Sequence, residues 1–230
     1  FVKARNEGRF WTKGDTVVAA PNQLSYDGGL HYTTFPDPGM NEFALADDAI
    51  WGVKFDDGIY RSTNGGQNWV TVNTPGVPGL GTSIAYAKQG IWVADGTDVY
   101  ATFDNGANWQ TMHEGLIDPA EFYTSRVSGK GSQVFLQSHL QLYFFESGRW
   151  NPSGFGDKKF SWPTTAALEV FENGKAVLFN YFPETILYLT QDGGKNWAQI
   201  QSDFLFADPW HVFATGESMY ALAGDSSKSN

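Results

Sequence analysis

The sequence predicts an all-β fold, and three features of its composition carry that prediction. Aromatic residues make up 16% of the chain, and aromatic side chains favour strands. The 26 Gly and 10 Pro supply many turns. Leu, Glu, Lys and Arg, which favour helices, do not dominate. With 230 residues and 41% hydrophobic residues, the chain is long enough to bury a core as one domain or one repeat array.

The charge, the apolar runs and the Cys content of the chain together argue against several kinds of partner and site. The formal net charge is −10 and the pI is near 4.7. Such a surface repels phosphate backbones, so we expect no nucleic-acid partner. No apolar run approaches the roughly 18 residues that a bilayer requires, so we expect no membrane insertion in this segment. The absence of Cys excludes disulfides, Cys-based zinc sites and a thiol nucleophile, and we expect no cofactor.

Four octapeptides repeat along the chain. Each has Ser or Thr first, Asp or Asn third, Gly fifth and an aromatic residue last, and they occupy residues 25–32, 62–69, 102–109 and 190–197. A degraded fifth copy, residues 143–150, ends at Trp150 but lacks the Ser/Thr and the Asp. Regular spacing of a motif along a chain indicates a repeat architecture.

The residue types of the octapeptide predict a structural role. Asp or Asn followed by Gly favours a tight turn with positive φ, and the hydroxyl and carboxylate can accept backbone N–H groups within it. The final Trp can pack under the hairpin as an apolar plug. Calcium binding is the alternative, although each turn offers only one carboxylate. The residues assigned to this structural motif are Ser25, Asp27, Gly29, Ser62, Asn64, Gly66, Trp69, Thr102, Asp104, Gly106, Trp109, Thr190, Asp192, Gly194 and Trp197.

These octapeptides resemble the Asp-box, or BNR repeat, of sialidases, sortilin-type receptors, some xyloglucan hydrolases and photosystem II assembly factors. The resemblance implies a β-propeller in which the boxes face one rim and ligands meet the opposite rim or the axial channel. It also implies a periplasmic or extracellular location, as for exported proteins with this repeat.

Short apolar stretches around each octapeptide predict four-stranded meander sheets, one for each propeller blade. In the second repeat, stretches 42–46, 50–55 and 58–62 precede the motif and 69–72 follows it. The third repeat has 83–87, 91–94, 98–102 and 109–112, and the fifth has 167–171, 176–180, 186–190 and 197–200. Stretches 211–215 and 218–223 read as the first two strands of one more unit, which no octapeptide follows.

The repeat spacing predicts a single propeller domain over residues 1–230 with six blades. The last blade would be closed by pairing the N- and C-terminal segments, which hides open sheet edges. Five blades with accessory strands is the alternative.

The rim opposite the octapeptides is the expected binding surface. The connection 151–165 is the longest, and it places Phe160 and Trp162 beside two lysines. Trp210 and His211 lie in the last connection. Exposed aromatic side chains can stack on sugar rings or anchor a protein partner. Alternatively, Trp162 caps the sheet beneath it and His211 is a hydrogen-bonded structural residue.

Candidates for catalysis are few. A sialidase needs three arginines for the substrate carboxylate, but of the five in this chain only Arg126, and less securely Arg9, could reach an inner strand. Glu42 and Glu121 are the best placed pair of carboxylates for a glycosidase. We assign no catalytic residue and no metal ligand. The sequence therefore predicts a non-catalytic binding or assembly propeller that recognises a protein or glycan through the rim opposite the boxes, with a glycan-processing hydrolase as the alternative.

Overall fold

The computed structural model describes residues 10–36, 39–55, 57–74, 83–96, 98–116, 126–138, 141–154, 166–171, 173–180, 186–200, 209–215 and 218–223. Within these ranges the chain forms strands joined by turns. No helix of the described ranges has the length and hydrophobicity needed to cross a membrane.

The chain divides into two compact units, and the first comprises Phe1–His113 and Thr124–Val127. It holds three four-stranded antiparallel sheets, which we call blades 1 to 3. Blade 1 consists of β1 (Phe10–Lys13), β2 (Thr16–Ala19), β3 (Gln23–Ser25) and β4 (Thr33–Thr34). Blade 2 consists of β5 (Glu42–Leu45), β6 (Ile50–Lys54), β7 (Gly58–Ser62) and β8 (Val70–Thr71). Blade 3 consists of β9 (Ser83–Ala87), β10 (Gly90–Ala94), β11 (Val99–Thr102) and β12 (Gln110–Thr111).

The second unit comprises Glu114–Tyr123 and Ser128–Asn230. Its two four-stranded antiparallel sheets are blades 4 and 5. Blade 4 consists of β13 (Arg126–Lys130, whose first two residues group with the first unit), β14 (Gln133–Gln137), β15 (Leu142–Glu146) and β16 (Arg149–Pro152). Blade 5 consists of β17 (Ala166–Val170), β18 (Ala176–Asn180), β19 (Ile186–Thr190) and β20 (Ala198–Ile200). A separate pair is formed by β21 (Pro209–Thr215) and β22 (Ser218–Ala223).

The chain is therefore an all-β propeller of four-stranded antiparallel blades, as the sequence predicts. The described residues hold five complete blades, which corresponds to the five-blade alternative. The pair β21–β22 forms where the sequence predicts the first two strands of a sixth. The N-terminal segment expected to close that blade by pairing with the C-terminal one lies outside the described residues, as do residues 224–230.

In blade 3, the first three strands are almost entirely buried and the outer strand is exposed. Every residue of β10 is buried, because a central strand covered on both faces is apolar on both. Its Trp92 and Val93 pair with Ala85 and Ile84 on one side and with Ala101 and Tyr100 on the other. The outer strand β12 has only two residues, and both are exposed.

The hydrophobic core lies between neighbouring blades. Between blades 1 and 2 the buried residues are Val18, Leu24, Phe35, Phe43, Leu45 and Ile50. Between blades 2 and 3 they are Ala44, Ala49, Trp51, Val53, Ile59, Ile84, Ile91 and Val93. Between blades 4 and 5 they are Phe135, Leu142, Phe144, Val170, Ala176, Leu178 and Tyr188. Each blade is thus held by apolar contact with its neighbour, while hydrogen bonds run within it.

Candidate functional site

The octapeptides form the same turn between the third and fourth strands of blades 1, 2, 3 and 5. In blade 5 the N–H of Gly194 donates to Thr190 Oγ1 at 2.9 Å, and the Thr190 hydroxyl donates to Asp192 Oδ1 at 2.9 Å. Asp192 Oδ1 also accepts the N–H of Asn196 at 3.0 Å. The equivalent hydroxyl-to-Gly bonds, all 2.9 Å, join Ser25 to Gly29, Ser62 to Gly66 and Thr102 to Gly106. All four hydroxyl residues are buried, so these bonds satisfy groups that water does not reach.

Hydrogen bonds hold the pKa of the turn carboxyls below its usual range. For Asp27 the largest cause is the backbone N–H of His31, followed by the Ser25 hydroxyl. The pKa values of Asp104 and Asp192 are lowered in the same way, chiefly by donors from Asn108 and Asn196. The carboxylates thus accept hydrogen bonds within their own turns. Among the described residues, no group of three or more His, Asp or Glu could hold a metal ion.

Blade 2 forms the turn without a carboxylate. Its Asn64 Oδ1 accepts the Ser62 hydroxyl at 3.0 Å and the N–H of Asn68 at 2.9 Å. The neutral amide oxygen makes the same two contacts as the carboxylate oxygen of the other turns. The turn therefore requires an acceptor at this position, and a negative charge is an addition to it.

The fifth residue of the turn must be Gly for two reasons. Its φ is 80° at Gly66, 88° at Gly106 and 95° at Gly194, a conformation that L side chains rarely adopt. It also packs on the preceding blade of its unit. A Cβ atom would lie 2.7 Å from Phe35 Cγ at Gly66, 2.7 Å from Val72 Cγ1 at Gly106 and 2.5 Å from Phe135 Cε1 at Gly194. Each of these turns is therefore part of an inter-blade contact.

The Trp that ends the motif packs on the core from the edge. Trp69, Trp109 and Trp197 are all partly buried, and each contacts the apolar cluster between its blade and the preceding one. Trp197 Nε1 donates to Ser153 Oγ at 2.6 Å and to the Gly194 carbonyl at 3.1 Å. The three Trp side chains thus occupy equivalent places in blades 2, 3 and 5.

The inner strands begin at the other end of each blade, where the sequence places the binding rim. Glu42, the first residue of β5, is buried, and its Oε1 lies 2.9 Å from Nη2 of Arg126. Its Oε2 accepts the N–H of Ile84 at 3.3 Å. The hydroxyl of Ser83 in turn accepts the N–H of Val127 at 2.8 Å. Side chains at the starts of the inner strands therefore bond to the backbone of the next inner strand, and Glu42 also holds the Arg126 guanidinium, more than half of whose side chain is exposed.

The other predicted ligand-binding residues are not brought together by the described structure. Phe160, Trp162 and Glu121 lie outside the described residues. Trp210 and His211 belong to β21, for which the backbone alone is described. Of the candidate set, Glu42 and Arg126 are thus the pair whose contact is described.

Sequence reasoning missed a cleft at the octapeptide end, between blades 2 and 3. Its volume is about 280 Å³, and its polar and aromatic lining comprises Asp47, Asp48, Tyr86, Gln89, Thr102, Phe103 and Asn105. The Asp47 carboxylate bonds to the Lys13 ammonium and the Tyr86 hydroxyl, and the latter contact raises the pKa of Tyr86 to about 12. One signal was in the sequence: the third octapeptide carries Asn105 where the other three carry Gly.

Comparison with known proteins identifies two kinds of relative. No family model matches the chain. A xyloglucanase from a Paenibacillus species is 26% identical over 235 residues, covering 93% of this chain and 20% of that protein. The chain thus spans about a fifth of the length of this curated relative.

Solved structures share the fold at low sequence identity. YCF48 from Cyanidioschyzon merolae matches with a TM-score of 0.55 and 15% identity, over 95% of this chain and 94% of that one. YCF48 bound to a D1 peptide matches with a TM-score of 0.54 and 16% identity, over 80% and 62%. The GH74 xyloglucanase from Xanthomonas campestris matches with a TM-score of 0.58 and 15% identity, over 84% and 32%. The fold is thus similar both to that of YCF48 and to that of a GH74 xyloglucanase.

Proposed function

We propose that the protein is a non-catalytic Asp-box propeller that binds a protein or glycan partner through the rim where the inner strands begin. The observation that carries the proposal is the Glu42–Arg126 pair. Glu42 is buried, and its two oxygens contact Arg126 and the N–H of Ile84. Its carboxylate therefore positions the Arg126 guanidinium. A general acid or nucleophile would instead have to present its carboxyl group to a substrate.

Arg126 is suited to binding an oxygen-bearing ligand. A guanidinium carries five N–H donors in a fixed fork, and one of its nitrogens contacts Glu42. Because the side chain is 57% exposed, other donors can reach a ligand. Backbone carbonyls, carboxylates and sugar hydroxyls would all accept them. The similarity to YCF48 bound to a D1 peptide supports a protein partner for this fold. Phe160, Trp162, Trp210 and His211 stay candidate ligand-binding residues predicted from the sequence.

A glycan-processing hydrolase is the second candidate, and the match to a xyloglucanase favours it. On this alternative Glu42 would have to exchange its contact with Arg126 for the substrate. Glu121 stays the second carboxylate that the sequence predicts. The two candidate functions use the same rim, and they differ in whether the bound glycan is hydrolysed. We further propose a periplasmic or extracellular location, which fractionation of the native host would test.

Binding through this rim is tested with Trp162→Ala and Arg126→Lys in the full chain. A glycan array and a peptide array supply the ligands, and calorimetry supplies the dissociation constants. We expect Trp162→Ala to weaken binding about tenfold with little loss of stability. Arg126→Lys keeps the charge next to Glu42 but loses the planar fork, so binding should weaken while the fold persists.

The matched control is Tyr26→Ala, which removes an exposed aromatic side chain at the octapeptide end. It should leave these affinities unchanged. Unaltered binding in both Trp162→Ala and Arg126→Lys would reject this rim as the site. Hydrolysis of an array sugar that Glu121→Gln abolishes would establish the enzymatic alternative.

A further inference from the structure

The cleft between blades 2 and 3 holds a fixed aromatic surface. Phe103 takes the second position of the third octapeptide, and 47% of its surface is exposed. Its ring packs on Gly90, where a Cβ atom would lie 2.6 Å from both Cδ1 and Cε1 of the ring. The ring makes a T-shaped contact with Trp92, with centroids 5.9 Å apart and the planes at 88°. Phe103 is therefore a rigid platform in the cleft wall that needs little ordering when a ligand binds.

Two carboxylates of the cleft are held in place and balanced in charge. Asp47 pairs with Lys13, which also lies over the Tyr86 ring at 4.6 Å from its centroid. Asp48 Oδ2 pairs with Arg61 Nη2 at 2.7 Å. Both carboxylate side chains are more than half exposed, so lone pairs remain available to hydroxyl donors. Because each charge already has a counter-charge, the cleft favours a neutral polar ligand over a cation.

Two amide side chains enter the cleft from left-handed backbone positions. Asn105 has φ 59°, whereas the same turn position in the other blades is Gly28, Gly65 or Gly193. Gln89 has φ 59° and follows Lys88 at φ 50° in the β9–β10 turn. Side chains at such positions cost backbone energy, and residues of this kind concentrate at functional sites.

We propose that this cleft is a saccharide-binding site for a neutral segment of a glycan. The face of Phe103 would stack on the C–H face of a sugar ring. The carboxylates of Asp47 and Asp48 would accept its hydroxyls, and the amides of Gln89 and Asn105 would both donate and accept. The volume of about 280 Å³ lies near the lower end of small-molecule sites, so the cleft takes part of a chain rather than a large branched glycan.

This site is separate from the rim of the proposed function. In blades 2 and 3 the octapeptide turns and the starts of the inner strands lie at opposite ends of the same sheets. Saccharide binding in the cleft can therefore be tested independently of binding through Trp162 and Arg126.

The test titrates the full chain with tetrasaccharides in a calorimeter. The neutral probes are cellotetraose, maltotetraose and xylotetraose; the charged probes are tetragalacturonate and chitosan tetramer. We expect at least one neutral tetramer to bind more tightly than either charged one. Phe103→Ala should weaken that binding about tenfold, and Phe103→Trp should preserve it.

Asn105→Gly provides the sharper variant, because it installs the residue found in the other three turns and relieves a strained backbone position. It should lower affinity about threefold, the effect of one lost hydrogen bond, without lowering the unfolding temperature. Tyr26→Ala is the control at the equivalent position to Phe103 in blade 1 and should bind as the unaltered chain does.

Three results would overturn the site. The first is that no neutral tetramer binds at millimolar concentration or that a charged one binds more tightly. The second is that affinity survives both Phe103→Ala and Asn105→Gly. The third is that it is lost in Trp162→Ala and kept in Phe103→Ala, which would move the sugar to the opposite rim and support the proposed function alone.

Discussion

Blades 3 and 4 close their third and fourth strands in two different ways. In blade 3 the octapeptide makes a wide turn in which the buried N–H of Gly106 bonds to Thr102 and the exposed N–H of Asn108 bonds to Asp104. In blade 4 the hairpin narrows to Ser147 and Gly148, both left-handed, and the strands pair directly from Glu146 and Arg149 onward. A two-residue turn of this type leaves few groups to satisfy. The octapeptide is thus one of two ways in which the chain connects the third and fourth strands of a blade. It is needed where the turn is wide.

The aromatic residue after the turn differs accordingly. Trp109 follows the wide turn and is partly buried, whereas Trp150 lies within β16 and is completely buried. The N–H of Trp150 donates to the carbonyl of Glu114 at 2.8 Å, so the segment before the blade covers its outer edge. Blade 4 therefore replaces a self-contained turn with a contact from another part of the chain.

Trp150→Ala should have the largest effect on the second unit. The side chain is fully buried and its ring meets Phe145 edge-on at 5.1 Å between centroids. Truncating a buried Trp costs about 3–5 kcal/mol of unfolding free energy. Trp109→Ala, made as the comparison, should cost less because that side chain is partly solvated. Equal losses in urea unfolding would remove the distinction between a buried and an edge Trp.

Gly115→Ala should be the next most damaging change. Gly115 has φ 88°, and a Cβ there would lie 2.2 Å from the carbonyl oxygen of Trp150. Gly148 has a similar φ of 80° with nothing within 4 Å of a Cβ, so it isolates the backbone effect. Gly148→Ala should cost about 1–2 kcal/mol. Gly115→Ala should cost about 1–3 kcal/mol more, because the contacting atoms are backbone and cannot rotate away.

If the two Ala variants unfold at the same urea concentration, the contact between residues 114–116 and β16 does not support blade 4. That result would leave the comparison with blade 3 resting on the hairpin alone.

Thr190→Val should remove the central acceptor of an octapeptide turn at nearly constant volume. The N–H of Gly194, which is buried, would lose its partner, and Asp192 would lose the hydroxyl donor. We expect a loss of about 1–3 kcal/mol in chemical unfolding. Thr111→Val, on the exposed strand β12, is the control and should stay within about 0.5 kcal/mol. If Thr190→Val left the free energy of unfolding unchanged, water could replace the hydroxyl.

Most strands could be predicted from the sequence because neighbouring residues along the chain determine where each strand begins and ends. The ranges 58–62, 83–87, 176–180, 186–190 and 218–223 agree with the structure to the residue, and the others differ by one or two at their ends. Turn residues mark the boundaries, and the apolar stretches between them are too short for helices. The outer strands are shorter than predicted, because the apolar residues there, such as Trp69 and Trp109, belong to the turn's packing rather than to the ladder.

The site was harder to predict because it depends on contacts between distant residues. The Glu42–Arg126 pair joins positions that are far apart in sequence, and no local pattern links them. The contact of Glu114 with Trp150 is of the same kind. The saccharide cleft could have been suspected from Asn105, which departs from the Gly of the other octapeptides. Its partners Asp47, Asp48 and Gln89 lie in ordinary-looking turns, and blade packing alone brings them to Phe103.

The smallest expected effect concerns charge in the octapeptide turns, and blade 2 shows what to compare. Asn64 makes the turn without charge, so a triple variant, Asp27→Asn with Asp104→Asn and Asp192→Asn, should fold and keep its turns. The three carboxyls have folded-state pKa values below the usual 3.8. Each therefore adds stability that is fully present above its unfolded pKa and is lost as the pH falls through the folded value.

At pH 7 the unaltered chain should withstand slightly more urea than the triple variant. At pH 3 the two urea midpoints should draw together, because acid weakens the charged turns and not the amide ones. A difference in midpoint that stays constant from pH 7 to pH 3 would mean that the carboxylates act in the turns only as neutral acceptors, as Asn64 does.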